Sequence, residues 1–476
     1  MDRSTAIRRA TDAFDGGRLF SDLARRVAYR TESQNPQSGP ELGRYLTDEL
    51  APRFGMLGFS VRIIENPVTG AGPFLLATRV EDEHLPSVLG YGHGDVIRGL
   101  EGQWRAGLDP WTLTLDADRW YGRGTADNKG QHSVNLLALE QVIAQRGHLG
   151  FNCKYLIETG EEIGSPGLAQ LCAEQRDALS ADLLIASDGP RLHPQRPTLF
   201  MGARGALNFD LMVRLREGAH HSGNWGGLLA NPAIVLAHAL ASLIDDQGRI
   251  KVRAILPDSI PASVKAALAE CVVESSPDGP SIDAHWGEPG LTAAEKVYGW
   301  NTFEVLACKS GNPDNPVNAI PAWASAHCQI RFTADVDPAK LLPAIRRHLD
   351  EHGFGHVTVT EAAKGFFRAT RLDPDHPAAR WAAASIQRTT GQRPAVLPNI
   401  GGSLPNDCFA ETLAMPTLWV PHSYAGCSQH APNEHVLAPL LREGLAIMTG
   451  LYWDLGESPP ALPPRKAYGT MAAANG

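Results

Sequence analysis

The sequence predicts an α/β domain with a mixed central sheet flanked by helices, interrupted by an inserted α+β domain. Three observations carry this. Short apolar runs that end in turns alternate with helical periodicity up to about residue 200, and the same pattern resumes near residue 363. Between the two, alternating polar and apolar residues mark half-exposed strands. At 476 residues the chain is too long for one simple core, so more than one domain is expected. The reading is an α/β domain in two parts, 1–201 and 363–476, around an insertion, 202–362.

The elements follow in order. Residues from about 5 to 55 read as helix, with Phe20, Leu23, Ala24 and Val27 on one face and Leu42, Tyr45, Leu46 and Leu50 on another. Strands are expected at 60–64 and 74–79. Ser87 to Gly92 is a buried strand that runs straight into His93-Gly94-Asp95. Trp104 to Leu115 reads as loop and hairpin. The glycine-rich turn Tyr121 to Gly130 enters a helix carrying Val134, Leu137, Ala138 and Val142. Tyr155-Leu156-Ile157 is a buried strand ending in two adjacent carboxylates, Glu161-Glu162, and a Gly/Pro loop. A helix over 168–175 and an apolar strand over 182–187 lead to Asp188-Gly189. In the insertion, strands are expected at 206–216, 303–307, 324–332 and 356–361, with helices at 231–244 and 338–351; residues 245–300 give no clear pattern. The first pattern then returns: a helix at 377–389, a strand at 394–398, the loop Gly401 to Asp407, a strand at 417–420, and a final helix at 437–451. The tail from Glu457 is rich in Pro, Ala and Gly and is expected to fray.

Composition excludes several classes. Hydrophobic content of 43% and charged content of 20% are those of a globular chain. A net charge of −9 argues against a nucleic-acid partner. No apolar run reaches membrane-spanning length, and the N-terminus shows no signal-peptide pattern. Seven scattered cysteines with no Cys-x-x-Cys pair fit a reduced, cytoplasmic protein.

The chemistry sits at strand ends, where α/β sheets bind ligands. Adjacent glutamates repel unless a cation sits between them; one can then bind it while the other stays free as a base. His93, Asp127, Glu162, Asp188 and His430 form a set of two histidines and three carboxylates, which suits two zinc-like ions. If Asp127 bridges, each ion has one histidine and one further carboxylate, with room for a shared water. Glu161 is then the general base, and Asp95 can orient the His93 ring. Taken singly, each residue has a duller explanation: Asp127 as a helix cap, Asp188-Gly189 as a turn, Asp95 as a cap. His430 also has rivals in His422 and His435.

At this point the chain resembles the dinuclear zinc peptidases of peptidase family M20, which include carnosinase, cytosolic non-specific dipeptidase, carboxypeptidase G, aminoacylase and succinyl-diaminopimelate desuccinylase. The matching pieces are Gly92-His93-Gly94-Asp95-Val96, Gly122 to Gly130, Glu161 to Ser165, Ser187-Asp188 and His430 to Glu434. The resemblance implies a zinc-peptidase-like catalytic domain with an inserted lid and dimerisation domain. It puts His93 and Asp188 on one metal, Glu162 and His430 on the other, and Asp127 between them. It implies Glu161 as base and Asp95 as orienting carboxylate. His221-Ser222-Gly223 resembles the lid motif whose histidine reaches the partner's active site in a homodimer and helps stabilise the oxyanion. Asn318-Ala319-Ile320-Pro321 followed by Arg331 resembles the segment whose arginine binds the substrate carboxylate, and Gly402-Ser403 resembles the substrate loop. Leu404-Pro405-Asn406-Asp407 departs from the commoner Ile-Pro-Val ending of that loop, which touches the substrate pocket and not the metals.

The expectation is therefore a metallopeptidase with two divalent ions, Zn2+ first and Mn2+ or Co2+ as alternatives, cleaving small peptides as a dipeptidase. The long insertion favours the carnosinase-like branch. N-acyl amino acid deacylation or carboxypeptidase action is the alternative within the same chemistry, and a catalytically silent metal- or peptide-binding homologue is the alternative outside it. Intact Glu161 argues against silence.

Overall fold

The computed structural model describes residues 2–273, 280–363 and 365–462. Contacts divide the chain into two compact units. Unit one comprises Met1–Leu199, Asp375–Ala395 and Cys408–Gly476; unit two comprises Phe200–Pro374 and Val396–Asp407.

Unit one opens with helix α1 (Arg3–Asp15), capped by Asp2, whose side chain accepts the Thr5 amide at 2.7 Å. Helix α2 (Arg18–Val27) buries Leu19, Leu23 and Val27 along one stripe. The helical reading of 5–55 is broken over 28–38. There Asn35 caps a short turn begun by Pro36, and helix resumes at Gly39 and runs to Met56. Proline sets the backbone of such a turn but cannot donate a helical hydrogen bond, so the break follows from chemistry that periodicity alone overlooks. Strands β1 (Ser60–Ile64), β2 (Phe74–Arg79) and β3 (Ser87–His93) come next. Helix α3 (Lys129–Arg146) precedes β4 (Asn152–Glu158), β5 (Leu183–Ala186) and β6 (Thr198–Phe200).

Unit two contains β7 (Gly205–Arg214), α4 (Pro232–Leu243), β8 (Thr302–Ser310), β9 (Trp323–Phe332), α5 (Leu341–Glu351) and β10 (Thr358–Glu361). The strands form an antiparallel sheet in the order β8-β9-β7-β10. Alternation puts Leu207, Phe209, Leu211 and Val213 of β7 on one face, packed with Leu236 of α4 and Ile345 of α5. Strand β8 is an edge, with Val305 and Leu306 exposed. The loop 401–407 groups with this unit, although the sequence pattern assigned it to the α/β part. Arg204 Nε donates to the Gly401 carbonyl at 3.0 Å, and Ser403 Oγ to the Arg204 carbonyl at 2.8 Å. Both bonds are long-range, so local pattern carries no trace of them.

The chain returns to unit one with α6 (Pro377–Thr390), passes through β11 (Ala395–Leu397), within which unit one gives way to unit two at Val396, and ends in unit one with β12 (Thr417–Trp419) and α7 (Ala438–Glu457). The tail expected to fray lies, from residue 463, outside the described residues. The large sheet has the order β1-β2-β4-β3-β5-β12-β6-β11. Its middle strands β4, β3, β5 and β12 run parallel, and β1, β2 and β4 pair antiparallel. Buried strands such as β3 and β5 are covered on both faces, which explains their unbroken apolar sequences. Helices α3 and α7 pack together on this unit.

Candidate metal centre

Three neighbouring parallel strands deliver the side chains. His93 is the last residue of β3, Glu161 and Glu162 begin the turn after β4, and Asp188 follows β5. Asp127 ends the glycine-rich turn before α3, and the Asp127–Asn128 peptide is cis. His430 stands in the loop before α7 with φ 60°. Gly92 is required beside His93: a Cβ there would lie 2.9 Å from His132 Cβ.

The structure brings these donors together as two groups that share one residue. His93, Asp127 and Asp188 form one; Asp127, Glu162 and His430 form the other; within each the ligand-type atoms lie within 4.8 Å. Asp127 Oδ1 is 2.9 Å from His93 Nε2, and its Oδ2 is 3.0 Å from His430 Nε2. His430 Nε2 is also 3.0 Å from Glu162 Oε2, and His93 Nε2 is 3.7 Å from Asp188 Oδ2. The rival histidines are engaged elsewhere. His422 Nε2 meets Ser187 Oγ at 3.0 Å, and His435 Nε2 meets the Tyr424 hydroxyl at 2.7 Å.

The electrostatics are those of crowded, desolvated carboxylates. Burial, with the charge of Asp127, pushes Glu162 up to about 7 and Asp188 up to about 6. Burial and the neighbouring carboxylates hold Glu161 well above its usual range. Burial also pushes Asp127 upward, but hydrogen bonds from His430 and His93 hold it far below the carboxylate range. Hydrogen bonds to Asp127 and Glu162 push His430 up to about 11. Asp188 Oδ2 is buried without a hydrogen-bond partner, as an oxygen reserved for a cation would be. Carboxylate oxygens and imidazole nitrogens are the donors that zinc, manganese or cobalt takes, so the residues fit divalent ions.

Asp95 does more than its spacing suggested. The His93 Nδ1 proton points to the Asp95 carbonyl at 3.1 Å, with the carboxylate at 3.5 Å. That carboxylate accepts the amides of Glu161 at 3.2 Å and Glu162 at 3.1 Å. Two further residues escaped the sequence reading. Buried Glu434 pairs with Arg123 at 2.6 Å and accepts the amides of Gly124, Ala126 and Asp127, so it builds the Asp127 turn. Gln429 donates to Asp127 Oδ2. Glu434 was visible as the last residue of the His430 motif, but nothing in its spacing pointed at Arg123.

The remaining predicted residues lie in unit two and fall into two pairs. His221 is exposed and pairs in register with Ala319; Ser222 N donates to the Asn318 carbonyl at 2.9 Å. Arg331 Nη1 donates to Ser403 Oγ at 2.7 Å, beside exposed Gly402.

Fold and site together define an α/β protein with a candidate two-metal centre at the carboxyl ends of its parallel strands. The chain belongs to peptidase family M20/M25/M40, whose family model matches residues 89–454. It is 36% identical to the Beta-Ala-His dipeptidase of Rattus norvegicus over 192 residues; that alignment covers 40% of this chain and only 39% of the rat protein. It is 26% identical to a Cys-Gly metallodipeptidase of Candida albicans over 462 residues, covering 88% of this chain and 90% of the relative. The fold is similar to that of a di-peptidase from Saccharomyces cerevisiae (TM-score 0.77, 21% identity, 96% of this chain and 100% of that one). It is also similar to that of human carnosine dipeptidase 1 (TM-score 0.75, 22% identity, 95% and 99%).

Proposed function

We propose that this chain is a metal-dependent dipeptidase. Two divalent ions, zinc by preference and manganese or cobalt as alternatives, would be held by His93 and Asp188, by Glu162 and His430, and by Asp127 between them. The observation that carries this is the shared Asp127, with one oxygen facing each imidazole. When bound, such a pair of ions polarises a carbonyl and makes water nucleophilic at neutral pH. The chain supplies the rest. Glu161 belongs to neither donor group, so its carboxylate is free to accept the proton lost by the attacking water and pass it to the departing amine. Asp95 holds the backbone on which Glu161 and Glu162 sit. In unit two, Arg331 and Ser403 offer a carboxylate grip, with Gly402 and Asn318 completing the substrate contacts, and His221 serves as oxyanion donor.

The substrate reading rests on the relatives' names, which are those of dipeptidases. A homodimer through the inserted unit is supported by the exposed edge of β8, with His221 acting on the partner's site. None of the seven cysteines is joined in a disulfide, which supports a reducing cytoplasmic setting. No helix among the described residues is long and apolar enough to cross a membrane.

The test combines metal analysis with kinetics. Reconstituted protein should hold about two ions per chain and turn over dipeptides faster than matched N-acetyl amino acids. Glu161→Gln should keep its metal and lose at least about a hundredfold in kcat. Chelator-insensitive turnover, or a Glu161→Gln variant within about tenfold of wild type, rejects this reading.

A further inference from the structure

Helix α3 buries polar side chains where apolar ones would pack without a desolvation cost. Asn128, at its cap, and His132 and Asn135, four and seven residues on, lie on one face, and all three are fully buried. A buried polar stripe of this kind costs stability and fixes geometry.

Two of these residues belong to a chain of hydrogen bonds that runs from the helix resumed at Gly39 to the end of β5. The Tyr45 hydroxyl is 2.7 Å from His132 Nε2, and His132 Nδ1 is 3.2 Å from Asn128 Oδ1. Asn128 Nδ2 donates to the Ser187 carbonyl at 2.9 Å. That carbonyl sets every donor in the chain. Only the amide NH2 can face it, so Asn128 Oδ1 faces His132 and accepts from Nδ1–H. His132 Nε2 then accepts from the Tyr45 hydroxyl, and the ring is neutral, the state that burial also favours.

Both ends are anchored. Lys129 Nζ lies 5.0 Å from the centre of the Tyr45 ring and donates to the carbonyls of Arg26 at 2.9 Å and Tyr29 at 2.7 Å. Ser187 Oγ donates to Asn135 Oδ1 at 3.1 Å. Helix α3 thus grips Ser187 twice, at its carbonyl and at its hydroxyl.

The chain passes beside three candidate metal donors. Asn128 follows Asp127, and Ser187 precedes Asp188. His93 stands between two glycines on which the chain packs. A Cβ at Gly92 would lie 2.9 Å from His132 Cβ and 3.0 Å from Asn128 Oδ1; a Cβ at Gly94 would lie 2.6 Å from the Tyr45 ring. His93, Asp127 and Asp188 are together one of the two donor groups. None of the three bonds involves the Glu162 turn or the His430 loop, and the Glu162 amide is held by Asp95 at 3.1 Å.

We infer that Tyr45 and His132 are positioning residues for one ion of the pair. Through Asn128 they set the spacing of His93, Asp127 and Asp188, and the Glu162–His430 side is held without them. The assignment rests on the two-metal reading above.

Zinc binding to the full chain, measured by equilibrium dialysis against buffered free Zn2+, tests it without recourse to activity. Two backgrounds separate the donor groups. His430→Ala leaves His93, Asp127 and Asp188; His93→Ala leaves Asp127, Glu162 and His430. Adding His132→Leu should weaken the remaining ion about ten- to a hundredfold in the His430→Ala background and less than about threefold in the His93→Ala background. His132→Gln, whose amide can donate to Asn128 and accept from Tyr45, should return the affinity to within about threefold. Tyr45→Phe keeps the ring against Gly94 and removes only the hydroxyl, so it carries the same test where His132→Leu does not fold. A loss of about three- to tenfold, confined to the His430→Ala background, is expected of it. Equal weakening in both backgrounds, or weakening in neither, overturns the inference and leaves the two-metal reading standing. Wild-type protein that holds no ion at saturating zinc removes both.

Discussion

Asp95 shows how a single carboxylate can serve two neighbours. Its two oxygens accept the amides of Glu161 and Glu162, while its main chain takes the His93 ring proton. Asp95→Asn presents an NH2 to one of those amides, so the glutamate turn must shift. Turnover should fall by about ten- to a hundredfold with a parallel loss of metal affinity, measured by activity against buffered free metal. Unchanged affinity and rate would show that the turn holds itself. The donors His93, Asp127, Glu162 and Asp188 were legible because each ends or follows a locally recognisable strand or turn. Glu434 and Gln429 were not, because their role depends on partners about three hundred residues away, Arg123 and Asp127. For the same reason the second role of Asp95 could not be read from its distance to His93.

Among the elements, the buried strands and the amphipathic helices were legible, since burial on one or two faces leaves a period in the sequence. The break at 28–38 and the grouping of 401–407 with unit two were not, because capping and long-range hydrogen bonds set them. Two elements are open to direct tests. Helix α3 starts against the turn that carries Asp127. A Cβ on Gly130 would lie 1.9 Å from the Thr125 carbonyl oxygen. Gly130→Ala should therefore lower stability by about 1–3 kcal/mol and raise the metal concentration needed for half-activity, despite alanine's better helix propensity. A stabilised variant would contradict the packing described. At the end of β2, Glu81 accepts the amides of Leu149 at 2.6 Å and Gly150 at 2.8 Å and pairs with Arg79 at 3.0 Å. Although burial pushes the other way, these bonds hold its pKa below the ordinary 4.5. The stabilisation is thus complete above pH 4.5 and is lost as pH falls through the lowered value. Glu81→Gln should cost about 1 kcal/mol at pH 7, discounted for solvent that reaches the pair. In urea titrations the gap should narrow toward the lowest pH at which the chain stays folded. A gap that widens in acid would reverse the assignment.

For the whole molecule, all donors of the candidate centre belong to unit one, whereas unit two has a core of its own. A ligand stabilises only what it binds. Chelation should therefore increase hydrogen exchange in peptides covering 93–95, 127–130, 161–165 and 188, while peptides from β7 and β9 change little. Equal loosening in both units would show that they melt as one cooperative body. The two-part pattern was legible as a change of periodicity, but the composition of each unit was not, because the crossover segments carry no hydrophobic period.

The strand order also has a consequence for synthesis. β12 lies between β5 and β6 in the large sheet, yet it is made more than two hundred residues after them. His430 likewise follows Asp188 by roughly 240 residues, so at about 5–20 residues per second the ribosome needs about 12–50 s to supply it. During that interval the nascent chain holds an incomplete parallel sheet, with an open slot where β12 will lie, and four of the five candidate metal donors. An arrest series should show the first two hundred residues remaining protease-sensitive on the ribosome until the segment beyond residue 430 has emerged from the exit tunnel.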